Sequence, residues 1–518
     1  MDNFKKLTSV LFSLFLLSKM YKYSRPYLTK LLIKKILKVF IKKREKVKNE
    51  DWKIIEPNLN RNLSKKIVYY FIPGNFKNLL KQSDNKQLID LKLNSESVLF
   101  LFMNRFIRNF DEEWKDETHF LNEIKKYEFV YNIPNSNSLK DKNNRQIILS
   151  SKEGLEYFFN DIVGIHLFDV RDYNKDSILY EFDMNFLKNI NHKKNHLQLG
   201  GNIFLKLENK KIFLSNANLN VNELKKLLSS FLIINNLGYH ANLHVFSNNF
   251  NLFLKKNLDL NNSVMRFLSY IRLEPYGVNE VAVITLLSKA GFEVSTNLSE
   301  KGIYDLLNYF DNPYEKLLNP AFVFKNIKNS KGNYINEDNI FDSIYDRLPD
   351  NSIHKYAIKW WDIIYSYSKS FFIHSPKSDL EIFLNILKKS DYKYLINEEE
   401  DILINVSKIC AKILYMCIAH EMMSNSNLCK LASNPFILPT TIRKNKEVPN
   451  VISTLRAASL WNSINMPSAR LCDYKWREII SRNDKELECI KLFENNVKEM
   501  NDDSNILYYQ NIETSIRW

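Results

Sequence analysis

Long apolar stretches with helical periodicity dominate the chain from its middle onward. In residues 221–237, apolar side chains recur every three to four positions and form one wide face, which predicts an amphipathic helix. Residues 356–373 repeat this pattern with aromatic residues. Residues 401–425 form the most apolar predicted helix of the chain, and they carry a single histidine, His420. Because no strands alternate with these helices, the pattern predicts a mainly α fold, a helical bundle with few or short strands.

The first part of the chain has a weaker pattern. A helix is predicted over residues 110–130, and residues 134–148 are polar enough to form a loop. Ser151 followed by an acidic first turn predicts the start of a helix over residues 151–163. Nothing before residue 100 alternates in the way that repeated strands do, so we expect no β-sandwich there.

The N-terminal residues combine apolar and basic character. Residues 7–19 are apolar but shorter than the roughly 20 residues that span a bilayer, and whether they act as a signal or an anchor stays open. A basic amphipathic stretch follows, which either binds an anionic membrane surface or packs on the core with its lysines in solvent. We therefore divide the chain into an N-terminal segment, 1–45, and one helical domain, 46–518. A cytoplasmic or peripheral membrane location is expected.

The composition and the missing motifs argue against several classes of function. The 518 residues include 74 Lys and Arg against 59 Asp and Glu, a net charge of +15. Lysine, asparagine and isoleucine are abundant and only 10 glycines occur, a bias that an A+T-rich genome would produce. The charge is therefore weak evidence for nucleic-acid binding, which we do not expect, since zinc-finger and RNP-type motifs are absent as well. The sequence also contains no phosphate-binding glycine loop and no GxSxG nucleophile motif.

The cysteines indicate buried thiols. Their number is odd, none occurs in the first 400 residues, and no two form a CxxC pair, so neither a disulfide framework nor a zinc ribbon is predicted. The five positions are Cys410, Cys417, Cys429, Cys472 and Cys489.

Five histidines are candidates for chemistry. A lone histidine in an apolar helix, such as His420, is usually a core residue bonded to a carbonyl group. His240 and His244 are four residues apart, so they would share one face of a helix; the alternative is a polar helix end or loop packed on the body. His192 and His196 lie in a lysine-rich loop and are predicted to be solvated.

Several stretches, in collinear order over about residues 110–518, resemble the catalytic domain of lipoxygenases. In that family a helix carries a histidine and, four residues later, Asn, Ser or His. His420 and Ser424 have this spacing, and Asn425 follows. An N-x-P…P-T-x-R loop comes next in the family, and residues 439–443 resemble its second half.

Three further segments add to the resemblance. Residues 508–518 are similar to the family's C-terminal motif, although the last residue is Trp518 rather than isoleucine. Residues 361–387 are similar to its W-x-x-I…D-x-E-L segment. Residues 244–261 are similar to a helix in which the family has a histidine that binds no metal.

The resemblance implies a non-haem iron site and a fatty acyl substrate. In the family, three histidines, a weak Asn, Ser or His position and the carboxylate of the last residue hold the iron. A hydrogen atom is removed from a 1,4-pentadiene and dioxygen adds to the radical. The ligands implied here are His420, the terminal carboxylate of Trp518, and Ser424 or Asn425 as the weak ligand.

The chain departs from the family at the first two iron histidines, which are five residues apart in lipoxygenases. The matching stretch here, residues 220–228, contains no histidine. His240 and His244 are an alternative pair of metal ligands. Two functions therefore remain open: a lipoxygenase-type iron dioxygenase of polyunsaturated fatty acyl chains, and a catalytically inactive homologue that binds a lipid or a partner protein.

Overall fold

The structure is a computed structural model. It describes residues 114–124, 133–140, 143–174, 176–216, 219–272, 292–310, 314–350, 352–424, 428, 431–444, 471 and 475–502. The predictions for the N-terminal segment 1–45 and for the absence of a β-sandwich therefore lie outside the described residues, as do those for Asn425 and Trp518.

The described part of the chain is mainly α-helical, as predicted. Its α-helices are α1 (Glu117–Ile124), α2 (Lys152–Tyr157), α3 (Val221–Ile233), α4 (Ala241–Asn257), α5 (Ser263–Phe267), α6 (Ser269–Arg272), α7 (Phe292–Ser295), α8 (Glu300–Tyr309), α9 (Tyr314–Leu318), α10 (Ile340–Ile344), α11 (Ile353–Ile373), α12 (Lys377–Lys388), α13 (Ile402–Ser424), α14 (Lys475–Ile480) and α15 (Asp484–Asp502).

A small antiparallel sheet precedes the long helices. Its strands are β1 (Asp169–Tyr173), β2 (Ser177–Asp183), β3 (Asn202–Glu208) and β4 (Lys211–Leu214), and they pair in chain order. Every second side chain of β3 is buried, as expected for a sheet with one face on the core. Asn209 and Lys210 join β3 to β4 with positive φ angles of 50° and 58°, which suit a two-residue hairpin turn.

One helical run carries the chain from α3 into α4 without a break. It begins with a capping box in which the Asn220 side chain accepts from the backbone N–H of Glu223 and the Glu223 side chain accepts from that of Asn220. Between α3 and α4 lies a π-helical segment, Ile234–His240, and all seven of its residues are buried. The predicted helix 221–237 is thus the first half of a longer helical run that ends at Asn257.

Helix α13 is the central helix of the core and packs against α11 and α12. Its N-terminal half is held by ion pairs, from Lys408 to Asp338 and Glu400 and from Lys412 to Glu337. Residues 402–420 are long and apolar enough to cross a membrane by length and composition, but most of this stretch is buried inside the protein. The thiols of Cys410 and Cys417 lie in this helix and are buried, as predicted, whereas Cys489 of α15 is only half-buried.

A buried ion pair fixes the C-terminal helices to the body. Arg266 of α5 binds both carboxylate oxygens of Glu486, in the first turn of α15, at 2.7 and 2.9 Å. The same guanidinium group donates to the carbonyl oxygens of Ile480, at the end of α14, and Asn261. One side chain thereby joins three helices.

Candidate metal centre

The helical run α3–α4 places two histidines side by side in the core. His240 is the last residue of the π-helical segment, and His244 follows one α-helical turn later, so both project from the same side. Their exposed fractions are 4% and 7%. The alternative interpretation of this pair as a polar helix end or loop is wrong, because both residues are buried and lie inside a continuous helical run.

His420 of α13 completes a triangle of imidazole rings. The Nε2 atom of His244 is 3.1 Å from that of His240 and 3.1 Å from that of His420. The three ring centroids are 4.6 to 4.8 Å apart. Within the described residues, this is the group of His, Cys, Asp or Glu side chains whose geometry could hold a metal ion.

The contact at His244 is better suited to a cation than to hydrogen bonds alone. A neutral imidazole nitrogen has either one N–H or one lone pair. The Nε2 atom of His244 faces two other Nε2 atoms, so its one N–H or lone pair must either serve one of them or be shared between both. Three neutral imidazoles that direct their lone pairs at one cation need no such sharing.

The spacing of the nitrogens also fits a metal. An imidazole nitrogen binds a divalent transition metal at about 2.1 Å, so two ligands at a right angle are about 3.0 Å apart. The two measured separations are 3.1 Å. Imidazole suits iron as well as zinc, copper and nickel. The residues present therefore fit the metal that the resemblance to lipoxygenases implies.

A further ligand would come from outside the described side chains. No carboxylate or thiolate among the described residues joins the three histidines. Ser424 is the last residue of α13, one helical turn beyond His420, and only its backbone is described. The structure therefore brings together His240, His244 and His420, while the side chains of Asn425 and Trp518 lie outside the described part.

The stretch that was matched to the family's histidine pair lies elsewhere. Val221 and Asn222 are exposed in the first turn of α3. Lys226 precedes His240 by 14 residues in the same helical run, a distance of about 20 Å at 1.5 Å per residue. Residues 220–228 therefore cannot supply ligands beside His420, and the alternative pair of histidines occupies that place.

The prediction that His192 and His196 are solvated is wrong. His192 is half-buried, and its two ring nitrogens contact the Ile190 carbonyl oxygen at 2.7 Å and the Leu199 backbone N–H at 2.9 Å. Burial lowers the pKa of His192, and burial together with Lys193 lowers the pKa of His196 to about 4. Both histidines belong to the packed loop that borders the sheet.

Sequence analysis missed a second buried pair of histidines. His166 and His354 are 5% and 1% exposed, and their ring nitrogens have no hydrogen-bond partner among the described residues. Burial, with smaller contributions from the neighbouring His354 and Lys316, lowers the pKa of His166 to about 3. Burial alone lowers the pKa of His354 to about 4. No sequence signal links the two, because 188 residues separate them.

Comparison with solved structures identifies the fold. A calcium-dependent 11R-lipoxygenase is similar over 84% of this chain and 75% of its own, with a TM-score of 0.59 and 10% sequence identity. The manganese lipoxygenase of Gaeumannomyces graminis is similar over 79% of this chain and 85% of its own, with a TM-score of 0.54 and 10% identity.

A 9R-lipoxygenase from Cyanothece PCC8801 is also similar, over 83% of this chain and 74% of its own, with a TM-score of 0.52 and 11% identity. No family model and no curated protein sequence matches the chain. At this level of identity the likeness concerns the fold: the chain has a lipoxygenase-like, mainly helical fold.

Proposed function

We propose that the protein is a metal-dependent dioxygenase of the lipoxygenase type, with polyunsaturated fatty acyl chains as substrates. The observation that carries the proposal is the convergence of His240, His244 and His420 from two helices into one buried cluster. The lipoxygenase-like fold supports the same interpretation. Iron is the expected metal, and the manganese enzyme among the similar structures makes manganese the second candidate.

The three histidines would hold the metal as neutral imidazoles. The carboxylate of Trp518 and the side chain of Ser424 or Asn425 are the proposed remaining ligands. When bound, the metal would supply the oxidant that removes a hydrogen atom from the methylene between two double bonds, after which dioxygen adds to give a hydroperoxide. The protein's part is to exclude water, and the burial of all three rings serves that purpose.

We infer the substrate class from the surroundings of the cluster. Among the residues close to the three histidines in the chain, Leu243, Ala419 and Met423 are apolar and buried. A site of this kind favours an apolar substrate over a charged one, because no described carboxylate joins the three rings.

The test is oxidation of linoleate by full-length protein that has been loaded with iron or with manganese. We expect oxygen uptake together with the ultraviolet absorbance of a conjugated diene, and loss of both in His420→Ala. Extension of the chain by one glycine after Trp518 should also abolish the activity, because it moves the carboxylate away from the metal. Metal-loaded protein that oxidises no polyunsaturated fatty acid would contradict the proposal and favour the inactive homologue.

A further inference from the structure

We propose that Asn235 is a positioning residue of the three-histidine cluster. Its side chain sets the distance between the helical run of His240 and His244 and helix α13, which carries His420. The inference rests on the proposed metal site. It adds a residue that contacts neither metal nor substrate and acts through the backbone of α13.

The first argument is the position of Asn235 in the π-helical segment. In such a segment each N–H bonds to the carbonyl oxygen five residues earlier, as Ala241 does to Asn236. Asn235 precedes His240 by five residues, about one turn, and therefore lies on the side of the helical run that faces α13. It is fully buried.

The second argument is its hydrogen bond across to the other helix. The side-chain amide of Asn235 donates to the backbone carbonyl oxygen of Met423 at 2.6 Å. Met423 lies three residues after His420, in the last described turn of α13. The bond thus joins the turn before His240 to the turn after His420.

The third argument is that packing alone does not explain an asparagine here. The Oδ1 atom of Asn235 is buried and has no hydrogen-bond partner in the described part of the chain. A buried acceptor without a donor lowers stability. Leucine would present a side chain of the same branching without that loss, so the amide is explained by the bond that its N–H group makes to α13.

Asn251 offers a matched control on the same helical run. It is also fully buried, its amide donates to the carbonyl oxygen of Ile271 at 3.1 Å, and its Oδ1 atom likewise has no partner among the described residues. It lies seven residues beyond His244, about 10 Å along the helix axis. Its bond leads to α6 rather than to α13.

The experiment compares Co²⁺ binding by full-length wild type, Asn235→Ala, Asn235→Leu and Asn251→Ala, with the d–d absorption of Co²⁺ as a signature of its coordination. We expect wild type and Asn251→Ala to bind with the same affinity and spectrum. Both Asn235 variants should bind at least about tenfold more weakly, the range seen when outer contacts of a metal site are removed, and with a changed spectrum. Asn235→Leu keeps the branching and the number of side-chain heavy atoms and leaves no cavity, so it serves if the alanine variant does not fold.

The possible failures are distinguishable. If Asn235→Leu binds Co²⁺ as wild type does, or if Asn251→Ala loses as much affinity as the Asn235 variants, the positioning role is refuted while the metal site remains. If wild type itself binds no Co²⁺, the proposed metal site and this inference are both refuted.

Discussion

At the scale of single residues, the core contains histidines in two different environments. His240, His244 and His420 direct ring nitrogens at one another, an arrangement that a metal ion would stabilise. His166 and His354 are buried in surroundings that offer their nitrogens no hydrogen bond from described residues. The first group is proposed to bind metal as neutral imidazoles, and burial favours the neutral form of the second.

The second pair makes the stability depend on pH. The pKa of His166 falls from 6.5 to about 3 and that of His354 to about 4, chiefly through burial. The unfolded chain therefore binds more protons than the folded chain as the pH drops below 6.5. The contribution of the two histidines to stability is fully present above pH 6.5, and it is lost progressively as the pH falls toward their folded pKa values. Between pH 7 and pH 5 the loss is about 2 kcal/mol for one such histidine.

His354→Leu should reduce this pH dependence by removing one of the two groups. The measurement is the free energy of urea unfolding at pH 7 and at pH 5. Ile353→Val is the control, since it alters packing at the adjacent position without removing a titratable group. If the free energy of unfolding changed as much between pH 7 and pH 5 in His354→Leu as in wild type, this histidine would make no contribution to the pH dependence.

At the scale of elements, the π-helical segment decides where the two neighbouring histidines point. An α-helix through residues 234–240 would take fewer residues per turn and would rotate every later side chain relative to the core. The segment also brings Gly238 against the ring of Phe310. That ring is held between Tyr239 and Phe186, with ring centroids 4.7 and 5.6 Å away.

Gly238→Ala should therefore destabilise the protein. A Cβ atom at this position would lie 2.5 Å from Cε2 of Phe310, well inside contact distance. Overpacking of this kind costs about 1–3 kcal/mol. We expect a lower urea midpoint for Gly238→Ala and partial recovery in the double variant Gly238→Ala/Phe310→Leu. Equal stability of Gly238→Ala and wild type would contradict the close approach.

At the scale of the whole molecule, the Arg266–Glu486 pair connects the described C-terminal helices to the core. Both side chains are almost fully buried, at 5% and 1% exposure. An unpaired charge left at such a site is strongly unfavourable, whereas a well-packed apolar pair can replace both partners at little cost.

Arg266→Met should lower the free energy of unfolding by about 3–5 kcal/mol, because Glu486 would remain buried without its partner. The double variant Arg266→Met/Glu486→Leu should recover most of the loss. Chemical denaturation of the three proteins measures both effects. A double variant no more stable than Arg266→Met would show that the destabilisation comes from packing rather than from the unpaired carboxylate.

The sequence predicts the helices better than the site. The apolar faces of residues 221–237, 356–373 and 401–425 correspond to α3, α11 and α13, because burial of one face determines such helices. The spacing of His240 and His244 predicted that they share one face. Which residues lie opposite that face depends on the π-helical segment. This segment rotates the later side chains by an amount that a regular 3.6-residue pattern does not predict.

Two other features escaped sequence analysis for physical reasons. The strands between residues 169 and 214 are short and carry many charged side chains on their exposed face, so their alternation is hard to distinguish from a loop. The contact of Asn235 with Met423 joins residues 188 positions apart, so no local sequence pattern predicts it.

The most direct test of the central claim is the metal content of the protein after loading with Fe²⁺ and removal of excess metal. The account predicts about one iron per chain in wild type and in His374→Ala, which changes an exposed histidine. It predicts a large loss in His244→Ala, since the Nε2 atom of His244 contacts both other rings. Wild-type protein that retains no metal, or a His244→Ala variant that retains as much as wild type, would contradict it.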